Sequence, residues 1–298
     1  MKSVPTTPTL SNSSAIVKTP SKYQLAFMRL LKHRLGVIGL FILLMVVLAA
    51  AFASVIAPYD PTEIMYEVVL SPPSAAHWFG TDEIGRDILS RILFGARVSL
   101  QIVGISIAVA VTIGSVIGML AGYYGGRVDD VLMRIMDGLL AFPMIILALA
   151  IIAVLGPELR NAIIAISVVN IPGFARLVRS QVLSVRELEF VQAARAIGQH
   201  DIGIMLRHIW PAVSGNVIVY ASLKASTALI TESALAFLGL GAQPPTPTWG
   251  TMLSISTGYW DAWWMGVFPG AAIFLSVLAM NFLGDGLRDV FDSRMQST

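Results

Sequence analysis

Cysteine is absent from this sequence, so neither a disulfide framework nor a thiolate metal site can exist in it. Histidine is scarce. His33, His77, His200 and His208 are scattered along the chain and form no ligand cluster, so a metal centre is not expected. Charged residues make up 13% of the chain, about half the share in soluble domains. A net charge of +2 is too small to suggest nucleic acid as a partner. Nucleotide motifs are missing as well. A Walker A loop needs Gly-Lys followed by Ser or Thr, and none of Lys2, Lys18, Lys22, Lys32 and Lys224 follows a glycine. Gly239-Leu240-Gly241 is the nearest approach to a dinucleotide fingerprint, but it runs into Pro244-Pro245 and cannot open a helix in the Rossmann manner. Any ATP this protein uses must be bound by another chain.

Apolar residues are what the sequence has in abundance: 56% of 298, with a mean hydropathy of +0.76. A bilayer-spanning helix needs about 20 largely apolar residues, because the hydrocarbon core is about 30 Å thick. Leu35–Tyr59 and Val98–Tyr124 contain no charge. Val131–Leu155 carries Arg134 and Asp137 near its start, and Ala162–Ala175 is short and interrupted by Asn170 and Pro172. Val213–Leu240 carries Lys224 and Glu232, and Ala262–Gly284 is charge-free. Six membrane spans are predicted, in an all-α fold. The first begins too far into the chain and runs too long for a signal peptide, so an uncleaved anchor is expected.

Orientation follows from the distribution of Lys and Arg. With both termini inside, the inner segments hold six basic residues before Leu35, then Arg127, Arg176, Arg179, Arg186, Arg195, Arg207, Arg288 and Arg294. The outer segments hold only Arg86, Arg91, Arg97 and Arg160. Both termini are therefore expected in the cytosol. Trp249, Trp260, Trp263 and Trp264 cluster near the start of the last span, where an interfacial aromatic belt would sit. The tail up to about Ser21, rich in Ser, Thr and Pro, has the composition of a disordered segment.

Two segments outside the membrane are too long to be simple connectors. In the outer one, Ile88, Leu89, Ile92 and Leu93 fall on one side of an amphipathic helix leading into the second span; a solvated cap and a docking surface are both open readings. In the inner one, Leu188 to Ile197 reads as a helix with Gly198 as its left-handed terminator. Asp201 is then expected to N-cap a second short helix that Pro211 closes. The first helix is expected to expose Ala193, Ala194 and Ala196 between Arg186 and Arg195, a surface suited to a helix-in-groove contact.

Gln192-Ala193-Ala194, three residues, Gly198 and then Pro211 resemble the EAA…G…P loop of bacterial ABC importer permeases, with Gln192 in place of the usual Glu and Trp210 in place of the Leu before the proline. Further runs are similar to the dipeptide, oligopeptide and nickel permeases, in particular to the "C" member of each pair. They are Gly80-Thr81-Asp82, Gly85-Arg86-Asp87 and Leu89-Ser90-Arg91, then Phe237 to Pro247 with Trp249-Gly250, and Asn281 to Asp289. The resemblance covers nearly everything from Leu35 to Asp292. It implies a type I ABC importer permease with a MetI-like core in the bacterial cytoplasmic (inner) membrane. It also implies an ATPase-coupling loop at Gln192, Ala193, Ala194, Arg195, Gly198 and Pro211. The implied partners are a homologous second permease, two ATPase subunits that bind ATP and magnesium, an extracytoplasmic substrate-binding protein and membrane lipid. The chain itself would catalyse no bond chemistry.

On this reading residues 1–34 form an N-terminal tail, and 35–97 the first span with the outer segment. Residues 98–284 form a five-helix core containing the coupling loop 176–211, and 285–298 a C-terminal tail. Di- and oligopeptides are the expected cargo; nickel, glutathione or another small solute is the alternative within the class. A stand-alone secondary transporter fits the spans but leaves the inner helical pair without a partner, and an intramembrane enzyme would lack a catalytic constellation.

The fifth span is energetically marginal. Each charge at a helix centre costs about 2.5–3.5 kcal/mol on the insertion scale, and each Val, Ile, Leu or Phe returns about 0.3–0.6. Lys224 and Glu232 are about 12 Å apart along the axis, too far for a direct salt bridge. They are expected either to be structural, with Lys224 snorkelling or each pairing with a neighbouring helix, or, together with Asn170, to line and gate a translocation path. Arg134 and Asp137 are one turn apart and are expected to pair. Pro143 and Pro172 are expected to bend their helices.

Overall fold

The computed structural model describes residues 33–291. The expected disordered tail and the last residues of the C-terminal tail lie outside them. The regular secondary structure of the described residues is helical, apart from an isolated bridge between Thr81 and Asp87.

Helix α1 (Arg34–Ala51) is the first span, and a short α2 (Ala53–Ile56) follows it. Helix α3 runs unbroken from Ile88 to Tyr124, joining the outer amphipathic segment to the second span. Helix α4 (Gly126–Leu140) and α5 (Met144–Leu155) come next, then α6 (Leu159–Val185) and α7 (Glu189–Ala196). Asp201–Ile204 forms α8, which passes through a π-helical turn at Met205–Ile209 into α9 (Trp210–Phe237). The chain closes with α10 (Trp249–Ser256) and α11 (Trp264–Phe291). Among the described residues, five helices are long and apolar enough to cross a membrane, and α4 with α5 makes a sixth crossing if that bent pair counts as one.

Two sequence expectations are corrected here, and one is met. The third span bends at Pro143 as expected, and α4 and α5 meet there at 90°. Pro143 has no N–H to continue the ladder, and Ala141 and Phe142 form the corner. The fourth span is not cut short at Pro172, which is carried inside the 27 residues of α6. Pro211 does not end a helix. The chain is continuously helical from Asp201 to Phe237, with the Trp210 N–H bonding back to the Met205 carbonyl, and the wide π turn admits the proline in the first turn of α9.

Close backbone approach fixes the core. Gly114, Gly118 and Gly122 recur every four residues on α3 and face α6. A Cβ at Gly114 would fall 2.6 Å from the Phe174 Cβ, and one at Gly122 would fall 2.8 Å from the Val182 Cβ. Small residues at this spacing let two membrane helices touch along their backbones. The first span is peripheral. Its Gly39 meets Ala279 and Leu283 of α11, while Phe41, Leu44 and Leu48 remain exposed.

At one end of the bundle the segment 57–87 folds into a polar clasp. Asp87 caps α3, accepting from the Ser90 N–H at 2.8 Å, and its other oxygen is 3.0 Å from the His77 Nδ1. Asp82 accepts from the Arg86 Nε at 2.6 Å, and Arg91 reaches the Pro61 carbonyl at 3.1 Å. The indole N–H of Trp264 donates to the Thr81 carbonyl at 3.1 Å, and that of Trp249 to the Ile92 carbonyl at 3.0 Å. The expected four-tryptophan belt thus divides: Trp249 and Trp264 are buried, and Trp260 and Trp263 are exposed.

Candidate coupling surface and polar path

The end of the bundle opposite the clasp carries the helical loop. Helix α7 rests on Val191 and Ala194, both buried. Gly198 terminates it with φ +80°, as expected, and its N–H bonds the Arg195 carbonyl at 3.0 Å. Ala194 is turned inward rather than exposed. The outward surface comprises Gln192, Ala193, Arg195 and Ala196 with Phe190 and Ile197, the last 83% exposed. Asp201 is the first helical residue of α8 rather than its cap, which is His200. Its carboxylate accepts from the Tyr123 hydroxyl at 2.7 Å, and the Arg195 guanidinium stands 5.4 Å from the centre of the Tyr123 ring. Arg186 donates to the Gly122 carbonyl at 2.8 Å, and His208 pairs with Gln199 at 2.9 Å. The loop is thereby tied to the end of α3, a spanning helix.

Nearby, α4 is held to α6 by ions. Asp137 pairs with Arg176 at 2.6 Å and Asp129 with Arg179. The expected Arg134–Asp137 pair is therefore corrected: the partner of Asp137 comes from another helix. Asp129, Asp130, Arg134, Asp137 and Arg179 line a cavity of about 160 Å³ there.

A polar stripe runs along α9. Asn216, Tyr220, Lys224, Thr227 and Thr231 are spaced by four, four, three and four residues and share an arc of about 80° on the helix. Asn216 donates to the Gln181 side chain at 2.7 Å, the Tyr220 hydroxyl abuts Gly173, and Thr231 reaches the Met144 sulfur at 3.7 Å. The stripe therefore looks onto α6 and α5. The Lys224 ammonium lies 5.5 Å from the centre of the Tyr220 ring and has no acidic partner among the described residues.

Glu232 is placed differently. It is 2% exposed and turned toward Ser99 of α3. Ser233 donates to its Oε2 at 3.3 Å, while its Oε1 has no hydrogen bond among the described residues. Asn170 is buried in α6 and donates to the Ile166 carbonyl at 2.8 Å, with its own oxygen unbonded. Of the three path residues expected from the sequence, the structure puts only Lys224 on the stripe. Asn216, Tyr220, Thr227 and Thr231 join it, and their signal in the sequence is the recurrence of polar positions within an apolar span.

Comparison with known proteins agrees with this architecture. Residues 114–297 match the family described as binding-protein-dependent transport system inner membrane component. Residues 21–73 match the N-terminal TM domain of oligopeptide transport permease C. The chain is 48% identical to the dipeptide transport system permease protein DppC of Alkalihalophilus pseudofirmus, over 93% of this chain and 91% of that protein. It is 43% identical to the glutathione transport system permease protein GsiD of Pectobacterium atrosepticum, over 94% and 93%. It is 42% identical to the di/tripeptide transport system permease protein DppC of Pseudomonas aeruginosa, over 96% of each.

Proposed function

Because the chain belongs to the family of binding-protein-dependent transport system inner membrane components, we propose that it forms one half of the transmembrane path of an ATP-driven importer of di- and oligopeptides. It is a permease subunit with the type I, MetI-like fold and not an enzyme. A stand-alone secondary transporter is set aside by the family membership.

The working unit is this chain with a homologous permease, two ATPase subunits that bind ATP and magnesium, and an extracytoplasmic binding protein. Both termini face the cytosol of a bacterium, and the clasp end faces outward. Closure of the ATPase pair pushes on Gln192, Ala193, Arg195 and Gly198 of the loop end, with Ala194 anchoring the helix from behind. Tyr123 and Arg186 pass that movement to α3, and the bundle rocks between inward- and outward-open states. Lys224 lines the path. Glu232 and Asn170, each buried with one side-chain oxygen unbonded among the described residues, are polar groups whose partners change as the helices rock.

The observation that carries the peptide reading is the 48% identity to a dipeptide permease along nearly the whole chain. Glutathione, named for a relative at 43%, is the second reading, and it too is a small peptide-like solute. Affinity purification of the gently solubilised chain from its native membrane, with mass spectrometry of what accompanies it, tests the proposal. Recovery of an ATPase, a second permease and a binding protein with peptide in its cleft is the expected result; recovery of this chain alone contradicts it.

A further inference from the structure

Lys224 stands thirteen residues from the C-terminal end of α9, about 20 Å along the axis, within a helix long and apolar enough to cross a membrane. A lysine side chain reaches about 6 Å, too short to bring the ammonium to that end. A cation within a spanning helix needs an anion or a polar path. No anion pairs with it among the described residues. Its nearest aromatic face is that of Tyr220, and the side chain is neither fully buried nor fully exposed. Glu232, about 12 Å further along the axis, is sealed on the α3 side and does not neutralise it.

The surroundings of Lys224 are polar but uncharged. Asn216, Tyr220, Thr227 and Thr231 share its face, and Gln181 joins from α6. One full positive charge amid amides and hydroxyls is a recognition pattern for an anionic group on an otherwise polar, neutral chain. Resting on the peptide reading above, we propose that Lys224 is a transit site for the substrate's terminal carboxylate, with the amides and hydroxyls of the stripe meeting its backbone. The cation–π contact with Tyr220 holds the ammonium between passages without an acid that would compete for it. The missing salt bridge is what keeps the site weak enough to release its cargo.

The test uses the whole transporter in proteoliposomes, with saturating binding protein so that capture is not limiting. The probes are alanyl-alanine and its C-terminal amide. The wild-type complex is expected to import the free acid several-fold faster than the amide. In Lys224→Gln that ratio falls toward one, and Lys224→Arg restores it, both variants assembling by size-exclusion chromatography. An unchanged ratio in Lys224→Gln overturns the proposal. So does failure of Lys224→Arg to restore the ratio in an assembled complex, which marks a packing role. A wild-type complex that imports neither probe overturns the peptide reading itself, and this assignment with it.

Discussion

The Tyr123 hydroxyl, at the end of a 37-residue helix, donates to the Asp201 carboxylate at 2.7 Å, and this bond joins the candidate coupling loop to the membrane core. A hydrogen bond to a charged group contributes about 1.5–3 kcal/mol. Tyr123→Phe is expected to leave the complex assembled but to loosen the loop, so peptide imported per ATP hydrolysed falls severalfold. Paired uptake and phosphate-release assays read this directly, and an unchanged ratio removes Tyr123 from the transmission route.

Gly198 separates conformation from contact. Its φ of +80° is unfavourable for other residues, yet no heavy atom lies within 4 Å of the position a Cβ would take. Gly198→Ala should cost about 1–2 kcal/mol and retain coupled uptake. Gly198→Trp should insert normally yet hydrolyse ATP without transport, because bulk there blocks the groove contact. Coupled uptake by the tryptophan variant would count against the coupling assignment.

Gly118 tests the α3–α6 seam. Any side chain there meets the Ala175 carbonyl and the Val178 Cβ. Gly118→Leu is expected to destabilise the solubilised protein by about 3 kcal/mol or more, seen as a lowered melting temperature and loss of assembly. Gly104, which has open space around it, is the control: Gly104→Ala should change little.

Glu83 gives the clasp a pH signature. Burial first, and then the neighbouring Asp82, raise its pKa above the ordinary 4.5, against the pull of Arg86. The folded state therefore holds this proton more tightly than the unfolded one. Its contribution is most favourable below pH 4.5 and is lost as pH rises through the raised folded value. Relative to Glu83→Gln, the wild type should lose thermal stability across that window and then level off. A wild-type-minus-variant difference that rises with pH would contradict the burial argument.

Much of this was readable from the sequence. Hydropathy locates the five spanning helices and the bent α4–α5 pair, and Gly198 is read correctly because a left-handed terminator is a local property. What was missed depends on tertiary partners. A one-turn rule pairs Arg134 with Asp137, but Arg176 on another helix presents the better geometry. Pro143 signals a bend in the third span, but the full 90° turn between α4 and α5 is not a quantity a hydropathy average can carry. Trp249 looks interfacial until its indole is seen to bond the Ile92 carbonyl inside the protein. The glycines at 114, 118 and 122 recur every four residues, and the polar stripe on α9 every three or four. Their meaning depends on which helix each one faces.

The absence of cysteine makes one experiment especially direct. A single Ile197→Cys on the exposed tip of the coupling loop, and a single Trp260→Cys on the exposed surface at the clasp end, each carry a photo-crosslinker in native membranes. The account predicts that Ile197→Cys captures a protein bearing a Walker A motif, and that Trp260→Cys does not. Capture of that ATPase from Trp260→Cys, or its absence from Ile197→Cys in assembled complexes, would contradict the claim that this loop receives the power stroke.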